Sequence, residues 1–306
     1  MTPILKVENL HQHFKISRSF TVKAVNGVSF EIYAGETYGL VGESGSGKTT
    51  IGRSIIRLYD PTDGTIIFNG RKISGKLHDD VRKMLRKNMQ MIFQDPMSSL
   101  NPRKKVADII GEGLDIHQLY SDKSERNKII ADILQKVGLS PAHAERYPNQ
   151  FSGGQRQRVG IARALVMQPK LIIADECISA LDVSIQAQVV NLMKDIQAAT
   201  NCAYLFIAHD LSMVKFISDR IGVLHLGYLV ETGTTQEIFS NPIHPYTKSL
   251  LSAVPLPNPR AEKNRKPITY DVSKVDYSAG TLHNVGGSHF VLATDNEFKS
   301  WCQNKF

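Results

Sequence analysis

The sequence predicts an α/β protein built on a mainly parallel sheet with helices on both faces. Two observations carry that reading. Strand-length apolar runs alternate with amphipathic helical stretches. A glycine-rich turn ending in Lys48-Thr49 joins one such strand to one such helix. The chain has 306 residues, 42% hydrophobic and 22% charged, enough for one large core or a core with a small satellite.

Taken in order, residues 4–10 and 28–33 alternate apolar with polar and are predicted as half-buried strands. Residues 37–41 form a compact apolar strand, followed by the glycine-rich turn and a helix over 48–59. Asp60-Pro61-Thr62-Asp63-Gly64 is a turn cluster that stops this helix. Short strands follow at 65–69 and 89–93. From about 95 to 150 the apolar spacing becomes helical, as in Val106, Ile109, Ile110 and Leu114, then Ile129, Ile130, Ile133, Leu134 and Val137. The strand–helix rhythm then returns with a strand at 171–174, a helix over 183–199 and a strand at 203–208. Beyond Val230 a run of prolines (Pro242, Pro245, Pro255, Pro257, Pro259) marks a C-terminal extension. The expected division is a core of 1–94 and 151–240, a helical subdomain of 95–150 and an extension of 241–306.

No apolar run approaches the ~20 residues needed to span a bilayer. Charged Lys6 comes too early for a secretory leader, so a cytosolic chain is expected unless a partner holds it at a membrane. Cys177, Cys202 and Cys302 form no C-x-x-C pair, hence no disulfide framework and no zinc pattern. The net charge of +8 is compatible with nucleic acid, anionic lipid or nucleotide phosphate as a neighbour. Its residues are scattered in short groups, such as Lys83/Arg86/Lys87, so charge alone decides nothing.

The strongest local signal is Gly42-Glu43-Ser44-Gly45-Ser46-Gly47-Lys48-Thr49, with Thr50 next in the helix, which fits G-x-x-x-x-G-K-[ST]. Glycines let the backbone curl until successive N–H groups point at phosphate oxygens, and the helix N-terminus adds positive partial charge. Lys48 supplies a point charge to the β- and γ-phosphates, and the Thr49 hydroxyl is a ligand for Mg²⁺. A nucleoside triphosphatase also needs an acid for the metal and a base for water. The apolar strand ending in Asp175-Glu176 offers both: Asp175 for Mg²⁺, directly or through water, and Glu176 to polarise the attacking water.

Phe151-Ser152-Gly153-Gly154-Gln155 resembles the L-S-G-G-Q signature of the nucleotide-binding domains of ABC proteins, with Phe in place of Leu. Ser152 and the N–H groups of Gly153 and Gly154 cap a helix and form an anion site. The resemblance implies a P-loop NTPase with an antiparallel N-terminal β subdomain, binding ATP and Mg²⁺. It also implies that the signature, Gln155 included, faces the ATP held by another subunit. Gln94 fits the Q-loop glutamine that contacts Mg²⁺ and water, and Ser179-Ala180-Leu181-Asp182 the D-loop at the dimer seam. His209 fits the H-loop histidine on the γ-phosphate. Phe14 stands where the family places its adenine-stacking aromatic, although an aromatic there serves equally as core. The family usually has Pro where this chain has Cys177, which is expected to loosen that turn slightly.

The stretch Phe93-Gln94-Asp95-Pro96-Met97-Ser98-Ser99-Leu100-Asn101-Pro102-Arg103 resembles oligopeptide and dipeptide importer ATPases; nickel importers share much of it. The segment from Asn241 to Pro255 resembles the start of their C-terminal extension. The cysteine cluster G-C-x-F-x-x-R-C-P carried by many members is absent. Instead His283-Asn284-Val285-Gly286-Gly287-Ser288-His289-Phe290-Val291 resembles the tail of the F-type ATPase of Gram-positive oligopeptide permeases; His283 and His289 have no third metal ligand with them. The partners thus implied are a D-type ATPase, two transmembrane permease subunits and a peptide-binding lipoprotein outside the cell, with the chain peripheral on the cytoplasmic face. A soluble ABC ATPase acting on DNA or ribosomes is the rival. Such proteins usually carry paired domains, a long coiled coil or a zinc insertion, so nucleic acid is not an expected partner.

Overall fold

The computed structural model describes residues 2–95, 99–179, 181–254, 268–271 and 275–303. The chain folds as two compact units, one of Met1–Leu5, Glu31–Glu36 and Ile67–Leu205, the other of Lys6–Phe30, Thr37–Ile66 and Phe206–Phe306. The fold is α/β, with a mixed, mainly parallel sheet and an antiparallel N-terminal subdomain. No helix among the described residues is long and apolar enough to cross a membrane.

In the second unit lie most of β1 (Leu5–Lys15) and β2 (Thr21–Ile32). β1 buries Leu5 and Val7, then Leu10 and Gln12, so its inward face changes phase between them. Asn9, at φ 49, supplies the one-residue irregularity that resets the pleat. β3 (Thr37–Val41) is buried throughout and runs parallel to β9 (Arg220–His225), with Val41 opposite Val223. β10 (Tyr228–Thr234) returns antiparallel to β9 through Leu226 and Gly227, both at positive φ as a tight hairpin of this twist requires. The extension continues the same sheet: β12 (His289–Ala293) pairs with β10, and β11 (Thr281–Gly286) with β12. The helix after the glycine-rich turn, α1, spans Lys48–Ile55. It stops short of 59 because Arg57 adopts a left-handed conformation at φ 65, which ends the helical ladder.

In the first unit the end of β4 (Asp63–Phe68) pairs antiparallel with β5 (Arg71–Lys72), and β6 (Met89–Ile92) runs parallel to β7 (Leu171–Asp175), with Ile92 opposite Ala174. α2 (Asp79–Asn88) leads directly into β6. α3 (Val106–His117) and α4 (Lys123–Lys136) pack through Ile109, Ile110, Leu114, Ile130, Ile133 and Leu134, all buried. Asp122 caps α4 by accepting the Glu125 N–H, and Arg126 forks onto both oxygens of Asp115 at 2.6 and 2.7 Å. That guanidinium holds the Asp115 carboxyl below its ordinary range. α5 (Gly153–Leu165) and α6 (Val183–Thr200) complete the unit's long helices, α6 ending on Asn201 in the left-handed region.

One buried carboxyl ties the extension to the sheet. Glu231 of β10 is 0% exposed and accepts the Ile243 N–H at 2.7 Å and the His244 N–H at 3.1 Å; its Oε1 lies 2.7 Å from His289 Nε2. Glu231→Ala leaves these groups buried with no acceptor and is expected to cost about 3 kcal/mol in denaturant unfolding. Glu231→Gln, which retains a carbonyl acceptor, should lose less. A change below ~1 kcal/mol for the alanine variant would show that the carboxyl is not needed.

Candidate active site

The phosphate loop grows out of β3. A Cβ on Gly42, at φ 153, would collide with the Leu224 carbonyl, and one on Gly47, at φ 106, with the Ala24 carbonyl. Only glycine fits either place. A Cβ on Gly45, at φ 81, would meet open space, so there the positive φ alone sets the requirement. The loop closes on itself by Ser46 N–H to the Glu43 carbonyl at 3.2 Å. It is buttressed from the β9–β10 turn, where the Gly227 N–H donates to the Ser46 carbonyl at 2.9 Å. Lys48, 4% exposed, donates to the Gly42 and Glu43 carbonyls at 2.7 Å each and to Ser46 Oγ at 3.4 Å. Gly47 is the N-cap of α1 and no side chain caps that helix, while Glu43, Ser44 and Gly45 are exposed. Thr49 and Thr50 lie in the first turn, partly exposed. A cradle of backbone around an ammonium, at an uncapped helix end, suits a phosphate chain.

The same unit carries Phe14 and His209. Phe14 is half-buried near the end of β1 and meets Tyr59 edge to face at 5.3 Å, so it is not deep core. His209 is exposed just after β8 (Ala203–Ala208), beside Asp210, whose carboxylate caps α7 (Leu211–Ile217) by accepting the Ser212 N–H at 2.8 Å.

The carboxylates and the signature belong to the other unit. Asp175 ends β7 and is 1% exposed. Glu176 follows at φ 44, a left-handed conformation that costs a non-glycine residue about 1 kcal/mol. Its carboxylate Oε2 accepts from Gln94 Nε2 at 2.9 Å, bringing together the two residues singled out for water. Its carbonyl accepts the N–H and the hydroxyl of Ser179, at 3.2 and 2.9 Å. Cys177 is buried, and burial pushes its thiol up to about 12, so it acts as a small apolar group. The turn after Cys177 leans on Gln186, whose amide donates to the Ile178 and Leu181 carbonyls at 3.1 and 3.0 Å. Asp182 is the N-cap of α6 but its exposed side chain makes no capping bond; Ala180 lies outside the described residues, as do Pro96, Met97 and Ser98.

Ser152 and Gln155 form a reciprocal capping box at the start of α5: Ser152 Oγ accepts the Gln155 N–H at 3.3 Å, and the Gln155 amide oxygen accepts the Ser152 N–H at 3.1 Å. A Cβ on Gly153 would meet nothing, whereas one on Gly154 would press on Ile185 at 2.8 Å. Phe151 takes the leucine position as a buried apolar plug, edge to face with His143 at 5.3 Å.

His283 and His289 are used otherwise. His283 stacks on Phe298 at 4.6 Å with Nε2 at 3.0 Å from the Ala293 carbonyl, and His289 meets Glu231. No group of three metal-ligating side chains occurs among the described residues. Two contacts lay beyond sequence reasoning. Gln186 carries no motif, and Tyr246, whose hydroxyl takes the Glu43 N–H at 3.0 Å, lies far away in the chain.

A family model described as ABC transporter matches residues 25–179, and one described as oligopeptide/dipeptide transporter, C-terminal region, matches 230–280. The chain is 58% identical over 301 residues to the oligopeptide transport ATP-binding protein OppF of Bacillus subtilis, covering 97% of this chain and 98% of that one. It is 53% identical over 304 residues to the dipeptide transport ATP-binding protein DppF of Lactococcus lactis, covering 98% and 97%. Among solved structures, a dimeric ATP-binding cassette in a post-hydrolysis state with ADP and Pi superposes at TM-score 0.69, with 28% identity over 76% of this chain and 98% of that one. CbiO1 of Clostridium perfringens, part of the transporter complex CbiONQ, gives 0.68 with 26% identity over 79% and 92%. The phosphate loop, the Asp-Glu strand and the capped signature therefore sit in a chain that belongs to the ATP-binding subunits of the oligopeptide/dipeptide ABC transporter family.

Proposed function

We propose that this chain hydrolyses ATP to power oligopeptide uptake, as one of two nucleotide-binding subunits beneath a pair of membrane permeases on the cytoplasmic face. The observation that carries the proposal is one continuous likeness: 58% identity to an oligopeptide transport subunit over 97% of the chain, extension included. In this reading 1–94 with 151–240 is the ATP-binding core, 95–150 the signature-bearing subdomain and 241–306 the extension.

The roles follow from the chemistry of each group. Gly42 to Gly47 cradle the phosphates with backbone N–H groups, Lys48 turns from its loop carbonyls to the β- and γ-phosphates, and Phe14 stacks on adenine. Thr49, Gln94 and Asp175 offer hydroxyl, amide and carboxylate oxygens, the hard donor set suited to Mg²⁺, which when bound neutralises phosphate charge. Glu176 takes the proton of the attacking water, Gln94 orients both, and His209 steadies the γ-phosphate. Ser152, Gly153, Gly154 and Gln155 serve the ATP held on the partner's loop, with Asp182 at the seam. Closure over two ATP shifts a conformational equilibrium, limited by the difference in ATP affinity between closed and open states.

Each complete site needs a signature from another chain, so the purified protein alone is expected to hydrolyse ATP weakly. Full rates should need a D-type ATPase and the permeases. ATPase rate per subunit, measured alone, with the D-type subunit and in the membrane complex over a concentration series, checks this. Full activity from the lone chain would overturn the heteromeric importer. The likeness to a dipeptide subunit favours a second cargo. Uptake of labelled pentapeptide against dipeptide by vesicles holding the complex decides between them.

A further inference from the structure

The Gly42–Glu43 peptide is the first of the phosphate loop, and it is gripped at both ends. Its carbonyl accepts the Lys48 ammonium at 2.7 Å, and its N–H donates to the Tyr246 hydroxyl at 3.0 Å. Gly42 has no side chain to resist rotation of this peptide plane, so hydrogen bonds hold its orientation. Turning it would take the carbonyl off Lys48 and redirect the first N–H of the loop.

Tyr246 is itself over-determined. It stands at the start of α8 (Pro245–Ser252) and is 2% exposed. Its ring stacks on His225 with centroids 4.0 Å apart and an interplanar angle of 25°. His244 Nδ1 accepts the Tyr246 N–H at 3.0 Å, and Glu231 fixes the two preceding N–H groups. Behind it, His225 Nδ1 lies 2.6 Å from the Tyr277 hydroxyl, which lies 3.2 Å from that of Tyr270. Burial pushes the Tyr246 phenol up to about 12, so it stays neutral at physiological pH. The aromatic cluster, half-buried at Tyr270 and Tyr277 and buried at His225 of β9 and Tyr246, therefore ends on the first peptide of the phosphate loop.

We propose that Tyr246 is a positioning residue of the ATP site, through which the C-terminal extension sets the orientation of the Gly42–Glu43 peptide and hence the phosphate loop's grip on nucleotide. This rests on the assignment of the loop as the ATP site. Tyr246→Phe keeps the ring on His225 and removes only the acceptor. It is expected to weaken ATP binding to the purified subunit about tenfold, and to raise KM in the assembled complex with kcat changed less than about twofold. Exchange of the Glu43 amide with solvent should speed up. Tyr277→Phe breaks the next link while leaving the Tyr246–Glu43 bond, so it controls for loss of packing and should leave ATP affinity within about twofold of wild type. Equal losses in the two variants would mean that the cluster acts by stability alone. Unchanged affinity in Tyr246→Phe would overturn the proposal, whereas failure of the wild-type chain to bind ATP would instead remove the site assignment beneath it.

Discussion

Replacing Glu176 by Gln is expected to slow hydrolysis at this chain's own site at least ~100-fold while leaving ATP binding intact. The substitution isolates basicity. A glutamine can still accept from Gln94 Nε2 through its amide oxygen, as the carboxylate does at 2.9 Å. The backbone at φ 44 is held by the turn to Ser179, which involves the Glu176 carbonyl and not its side chain. Shape, the Gln94 contact and the backbone strain therefore persist, and what is lost is a group able to take a proton from water. Turnover should be measured in the assembled complex with the partner's site already disabled, since a working second site would mask the loss. Near wild-type rates under those conditions would remove Glu176 from the role of base.

The turn after Glu176 carries Cys177 where the family usually has proline. The usual proline has a fixed φ and no N–H, and it disfavours helical conformations in the residue before it. Here the turn is secured by other means: Ser179 bonds back to the Glu176 carbonyl, and the buried thiol packs as an apolar side chain.

The candidate site was legible in the sequence where its logic is local. Each of its motifs spans a few consecutive residues, and strand-to-loop-to-helix order is a short-range property. The strands 37–41 and 203–208 also agree with the structure, because fully buried strands are written as unbroken apolar runs. Other elements had no such signature. α2, with Asp79, Asp80, Arg82, Lys83, Arg86 and Lys87, buries only Leu85, and its apolar side chains are just Val81, Met84 and Leu85, too few to stand out from the charge around them. β1 runs on past Leu10 to Lys15, and the phase change at Asn9 breaks the alternation that would have marked its full length. β11 exposes most of its residues, so its pairing with β12 follows from hydrogen bonds that leave little trace in residue type. The bond from Glu43 to Tyr246 joins positions 203 apart, and no spacing rule reaches that far.

Lys48→Ala and Ser152→Arg are expected to disable different ATP sites, and this contrast tests the proposed head-to-tail arrangement. Lys48 is held by the carbonyls of its own loop, so removing it takes a charged donor from the phosphates bound on that loop. Binding at this chain's own site should fall about 100-fold, at the upper end for a hydrogen bond to a charged group. Ser152 has a different geometry. Its Oγ already accepts the Gln155 N–H, and the hydroxyl keeps its own proton to offer an anion received at the helix end. Arginine there forfeits the cap, worth about 1 kcal/mol to the helix. It also fills the space over Gly153, where a Cβ would meet nothing within this chain. An open approach of that kind leaves room for a phosphate brought by another subunit, so the damage should fall on the partner's ATP. Photolabelling of each subunit of the complex with an azido-ATP reads the two effects separately. Lys48→Ala should erase labelling of this chain, and Ser152→Arg should weaken labelling of its partner. If both substitutions erased labelling of this chain alone, the signature would serve its own loop, and the sandwich of two chains around each ATP would be wrong.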